Sequence, residues 1–213
     1  MYRPVIIDAA APRATRVLVE RISNLFLMDV HAMLRLPRPE VAISQACNFT
    51  ISSALMNFVS GISVTLFEPP ADGRNTGRKF RDLVTAFYPW DTEPLNAINR
   101  TGEGATILYE TFRNPMAHAL GFQDPEPPGP IRVTRFAGDG LSEPDLETIE
   151  TSIQRPTAVL RGAPTLRRVA ATQALELNAE NFYWGTRELV RRLTADATRM
   201  AAAEAYLQPM LRL

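Results

Sequence analysis

Arg113 and His118 stand five residues apart, and Asn114 follows the arginine directly, in the run Tyr109-Glu110-Thr111-Phe112-Arg113-Asn114-Pro115-Met116-Ala117-His118. Histidine is the one side chain whose ordinary pKa lies near neutrality, so His118 can give and take protons at working pH. The guanidinium of Arg113 offers a planar fork of donors that matches phosphate oxygens. An amide beside them can orient either group. Together these residue types are a minimal kit for cutting a phosphodiester without a metal. The chain has only one other histidine, His31, and that one has no arginine five to seven residues before it.

The pattern Arg113-Asn114-x-x-x-His118 resembles the Arg-x(4–6)-His signature of the HEPN superfamily, in which a polar residue, often Asn, follows the arginine. The resemblance is carried by residues 109–118. It implies a helical domain and a metal-independent endoribonuclease, a toxin or defence effector in many members. The RNA 2′-hydroxyl would attack the adjacent phosphate, leaving a 2′,3′-cyclic phosphate and a 5′-hydroxyl. On that reading His118 is the general base or acid and Arg113 neutralises charge on the phosphate. Asn114 positions the phosphate or the imidazole, while Tyr109 and Glu110, one turn earlier, support them. RNA is the implied partner, with a homodimer and with an antitoxin or regulatory protein as a further partner. No cofactor is implied. The alternative open to such a domain is a catalytically silent helical module that binds a protein partner or a nucleotide.

One histidine cannot easily serve as base and acid at once, because each role needs its own protonation state. Two-fold pairing that brings two copies of His118 together answers this, and it is also what the resemblance implies. Locally, Asn114-Pro115 reads as an N-cap followed by proline at the first helical position. A helix arriving from residue 104 is therefore expected to kink or restart there. On an unbroken helix Arg113 and His118 would point about 140° apart, since five steps of 100° overshoot a turn.

The wider chain sets limits. It has 213 residues, 46% of them hydrophobic, enough for one domain with a real core. The formal net charge is zero, so any contact with RNA must come from a local patch. Cys47 is the single cysteine, which excludes an intramolecular disulfide and a cysteine-rich zinc site, and two distant histidines argue against a histidine metal site. The first residues lack the apolar core of a secretory signal, and a cytoplasmic protein is expected. Val41 to Phe67 carries no charge and is long enough to span a bilayer. Its many Ser and Asn side chains suit a core helix or a subunit interface better than lipid.

Periodicity predicts the elements. Val19, Ile22, Phe26, Val30 and Met33 mark a helix over 13–36, with His31 at the core edge or surface. The uncharged helix follows at 40–66, then a loop at 71–78 containing Gly73 and Gly77. A helix at 78–88 presents Phe80, Leu83, Val84, Phe87 and Tyr88. A short helix is read within 91–100 and the motif helix at about 103–120. The Pro-rich stretch 121–130 breaks the pattern. Strands are read at 131–136, 165–170 and 173–177, and a helix at 143–153 behind Ser142. A long helix from about 179 to 205 closes the chain, with Leu189, Leu193, Ala197 and Met200 as its stripe. The expected fold is mainly α: a single domain over 1–213, a HEPN-like helical bundle with a small β-containing insertion at about 121–178.

Further candidates lie on the last helix. Phe182-Tyr183-Trp184 can stack bases, although packing against the bundle is the favoured reading. Arg187 and Arg191 are four apart and share a face. With Arg192 they read as a phosphate-binding stripe for RNA, or as a solvated face balanced by Glu188. Arg167-Arg168 is ambiguous in the same way. The stretch 72–79 has glycines and basic residues but lacks phosphate-loop spacing.

Overall fold

The computed structural model describes residues 2, 4–34, 47–71, 73–93, 98, 101–115, 130–134 and 164–212. Within them six helices and a three-stranded sheet build a mainly α-helical bundle with a small β element, as the periodicity predicts. Helix α1 runs over Arg13–Val17, widens to a π-helical segment at Leu18–Ser23 and returns to α-helix at Asn24–Leu34. Helix α2 covers Asn48–Ile62 and ends in a π-helical segment, Ser63–Phe67. Helix α3 is Thr76–Phe87, followed by a 3-10 turn at Trp90–Thr92. Helix α4 is Thr101–Ile107, continued by a π-helical segment at Leu108–Arg113. Helices α5, Ala179–Thr194, and α6, Ala197–Met210, close the chain.

The core lies where α2, α3 and α5 meet. Ile51, Leu55, Met56 and Val59 of α2, Phe80, Leu83 and Val84 of α3, and Phe182, Leu189 and Leu193 of α5 are all buried. Each such side chain contributes about 1.5–3 kcal/mol by leaving water. The stretch Asn48–Phe67 is long and apolar enough by composition to cross a membrane, but half of it is buried within this bundle. Asn48, Ser52, Ser60 and Ser63 are among its buried residues.

Three expectations change. The stripe read on α1 included Ile22, which is exposed, and from Val19 onward the buried positions are Val19, Ser23, Asn24, Leu27, Val30 and His31. Ile22 lies inside the π-helical segment at Leu18–Ser23, where the turn is wider than 3.6 residues, and it falls outside the buried face. The closing helix is two helices. Asp196 leaves helical geometry and its carboxylate accepts the Arg199 N–H at 3.0 Å, capping α6. Ala197 is consequently exposed rather than part of a stripe. Gly77, read as loop, lies in the first turn of α3.

The strands are β1, Ile131–Thr134, β2, Leu166–Arg168, and β3, Leu175–Asn178, in the order β1-β3-β2. β3 pairs parallel with β1 and antiparallel with β2. Val133, Leu166, Leu175 and Leu177 are buried, while Arg132 and Arg167 flank Glu176 across the ladder, Arg167 at 2.7 Å. Chain passes straight from β3 into α5, because the Asn178 side chain accepts the N–H groups of Glu180 and Asn181 at 3.1 Å. The expected helix at 143–153 and the stretch 121–129 lie outside the described residues, as does most of 91–100 beyond the 3-10 turn.

Candidate functional site

Arg113 sits at the end of the π-helical part of α4. The expected restart at Asn114 does not occur. Asn114 has helical φ and ψ of −66° and −48°, and its N–H reaches back to the Tyr109 carbonyl, five residues earlier. Helical geometry continues through Pro115. A proline has no N–H to donate, and its ring crowds the carbonyl four residues before it. The wider winding just ahead of Pro115 relieves that crowding without a break, so Asn114 is not a cap and its amide is not occupied in capping.

The Arg113 guanidinium is half-buried. One terminal nitrogen donates to Ser60 Oγ of α2 at 3.2 Å. Its Nε is buried and makes no hydrogen bond among the described residues. The guanidinium carbon lies 5.5 Å from the centre of the Tyr109 ring, one turn earlier. No carboxylate of the described residues lies within ion-pair distance of it, whereas Arg78, Arg81, Arg167, Arg191 and Arg192 each have at least one.

Tyr109 is the hub of this corner. Its ring packs on Phe80 at 5.5 Å and closes over the backbone of Gly77. A second guanidinium, that of Arg81 on α3, lies 5.2 Å from the same ring. Arg81 is one turn beyond Gly77 just as Arg113 is one turn beyond Tyr109, so two i, i+4 pairs on neighbouring helices converge on one ring. Glu110 points outward, its side chain 62% exposed, and meets Arg81 only at 3.6 Å. Sequence reasoning singled out Tyr109, Glu110, Arg113 and Asn114 but missed Arg81 and Ser60. The available signal was the repeated four-residue spacing, Gly77 to Arg81 and Tyr109 to Arg113. His118 lies outside the described residues.

The candidates on α5 are otherwise engaged. Phe182, Tyr183 and Trp184 are fully packed in the core, which is the favoured reading of the two. Arg187 is only 6% exposed, donates to the Tyr183 hydroxyl at 3.0 Å and lies within 5.7 Å of the Tyr2, Tyr183 and Trp184 rings. Arg191 and Arg192 both donate to Glu188, at 2.6–2.9 Å, and Arg192 reaches Asp91 at 2.8 Å. Burial alone would raise the Glu188 carboxyl, but the hydrogen bonds from Arg191 and Arg192 outweigh it and hold the group below its ordinary value. The three arginines therefore form no exposed stripe: one is core and two share a carboxylate.

His31 is a core histidine, 6% exposed, its ring 5.7 Å from that of Tyr2 and 6.3 Å from that of Trp184. A second polar network ties the start of β2 to the end of α3. Glu93 accepts the Thr165 hydroxyl at 2.6 Å and the Thr165 N–H at 2.9 Å, and the Thr165 hydroxyl contacts that of Tyr88 at 2.6 Å. Burial raises both the Glu93 carboxyl and the Tyr88 phenol. No group of three His, Cys, Asp or Glu side chains suited to a metal ion forms among the described residues.

No protein-family model matches the chain, and neither a curated protein nor a solved structure matches it.

Proposed function

We propose that this protein is a metal-independent, HEPN-type endoribonuclease that acts as a cytoplasmic homodimer. The observation that carries the reading is Arg113: a half-buried cation with a buried, unsatisfied Nε and no carboxylate partner among the described residues. A cation kept short of its counter-ion is suited to an anionic ligand, and the residues after it, Asn114 and His118, are the types that phosphodiester cleavage needs. In the proposed reaction the RNA 2′-oxygen loses its proton and attacks the adjacent phosphorus. The bond to the 5′-oxygen breaks, and that oxygen leaves protonated. One His118 takes the first proton and a second, from the partner subunit's site, supplies the last. Arg113 neutralises charge on the non-bridging oxygens. The Asn114 side-chain amide orients the phosphate. Tyr109 holds Arg113 in place by cation–π contact.

The test is cleavage of a single-stranded RNA in the presence of a chelator, with the products' ends analysed. The reading expects a 2′,3′-cyclic phosphate and a 5′-hydroxyl, and a 2′-deoxy residue at the cut site must block the reaction. Light scattering at micromolar concentration should report a dimer. A strictly monomeric protein that still cuts RNA would remove the two-histidine part of the scheme.

The second reading, a silent module that binds a partner protein, is favoured by a different observation. Ile22, Leu25 and Met28 on α1 are 49%, 57% and 41% exposed, a row of large apolar side chains facing outward. Absence of RNA cleavage by the wild-type chain would leave that reading standing.

A further inference from the structure

We propose that Arg81 is a second phosphate-binding residue of the Arg113 site, holding the phosphate next to the one at Arg113 on a single-stranded RNA. The inference rests on reading Arg113 as a phosphate-binding group. Both guanidinium carbons lie within 5.5 Å of the centre of the Tyr109 ring, one carried by α3 and the other by α4. The Arg81 side chain is 34% exposed, so its planar fork of donors is open to a phosphate from solvent. The pair carries two positive charges against one loosely held carboxylate. Glu110 meets Arg81 at 3.6 Å, longer than a hydrogen bond, and is mostly in solvent.

Arg78, three residues before Arg81 on the same helix, shows the contrast. It is bound by both Glu68 and Asp82 and has no fork to spare. The same saturation holds for Arg191 and Arg192. Two under-neutralised arginines on one ring give an RNA backbone two neighbouring anchor points. One fixes the phosphate to be cut and the other fixes the strand's direction through the site. Phosphate contacts of this kind set register and carry no base preference.

The full-length protein is titrated with a 2′-O-methyl single-stranded RNA, which carries the phosphates but cannot be cut by 2′-oxygen attack. The affinity is followed against salt. Each phosphate contact on a single strand contributes about 0.7 to the slope of log K against log salt. Arg81→Ala and the stem-preserving Arg81→Gln should each reduce the slope by about 0.7, as should Arg113→Ala, and the double variant by about twice that. Glu110→Gln, which releases Arg81, should bind more tightly. Arg21→Ala, an exposed arginine on α1, should leave the slope unchanged. A slope unaltered in both Arg81 variants overturns the proposal, as does a wild-type protein that does not bind this RNA. If the slopes shift as stated but natural RNA is never cut, the nuclease reading fails and the two-arginine site stands. If RNA is cut and the Arg81 variants bind with the wild-type slope, only the present proposal fails.

Discussion

The ring of Tyr109 lies directly on the backbone of Gly77: a Cβ at residue 77 would sit 2.6 Å from the ring's Cζ and hydroxyl oxygen. Glycine is required there by the close approach of two helices, not by backbone conformation. The ring is held on its other sides by Phe80 and by the guanidiniums of Arg81 and Arg113, so it cannot retreat freely. The relationship fixes the distance between α3 and α4 and with it the spacing of the two cations.

Gly77→Ala should therefore destabilise the protein even though alanine is the better helix former. Overpacking of this kind costs about 1–3 kcal/mol, more than the gain of up to about 1 kcal/mol in helix propensity. Gly61, inside α2, has nothing within 4 Å of its would-be Cβ. Gly61→Ala should stabilise by about 0.5–1 kcal/mol. Urea melts of the two variants should move in opposite directions.

Glu188 makes part of the stability acid-sensitive. Its folded pKa lies below the ordinary 4.5, because the hydrogen bonds from Arg191 and Arg192 outweigh its burial. Its contribution is complete above 4.5 and is lost as pH falls through the folded value. Glu188→Gln should cost about 1–3 kcal/mol near neutrality by removing charged hydrogen bonds. The acid limb of a stability–pH curve should be flatter in that variant than in wild type.

Glu93 works in the opposite sense. Burial raises its carboxyl above 4.5 against the pull of the two Thr165 donors. The stabilisation it gives is present below 4.5 and is lost as pH rises through the folded value. The stability gap between wild type and Glu93→Gln should narrow as pH is raised from about 4 to 7, measured by urea melts at several pH values. A gap that widens over that range would show that Glu93 is ionised in the folded protein.

Asp196 separates α5 from α6 by capping the second helix. Asp196→Ala should cost about 1 kcal/mol, within the usual range for a lost N-cap. The loss should be seen as a lower midpoint in thermal unfolding with little change in helix content.

Much of this architecture was legible because burial follows periodicity where the helix is regular. The face of α3 was read residue by residue from Phe80, Leu83, Val84, Phe87 and Tyr88. The three strands were found from alternation and from the turn chemistry around them. α1 was misread at Ile22, inside the π-helical segment, because a π-helical turn has no compositional marker. The break at Asp196 was written in the sequence as a capping residue but was hidden in an alanine-rich run that favours helix on both sides. The candidate site was legible only within one helix. Arg113 and Asn114 stand out as candidates by type and spacing. Arg81 belongs to another helix, and its convergence on Tyr109 depends on Gly77 letting α3 and α4 approach. The helical conformation of Asn114 was not legible, since the residue before a proline is normally biased away from it.

The most direct test of the central claim is the rate of RNA cleavage by wild type, Arg113→Ala and His118→Ala in a chelating buffer, with circular dichroism confirming that each variant is folded. Losing a proton-transfer group or a charge-stabilising donor typically costs about 10²–10⁴-fold in rate. Wild type is expected to cleave, and each folded variant to lose activity by that factor. Cleavage by a folded His118→Ala or Arg113→Ala protein at the wild-type rate would contradict it.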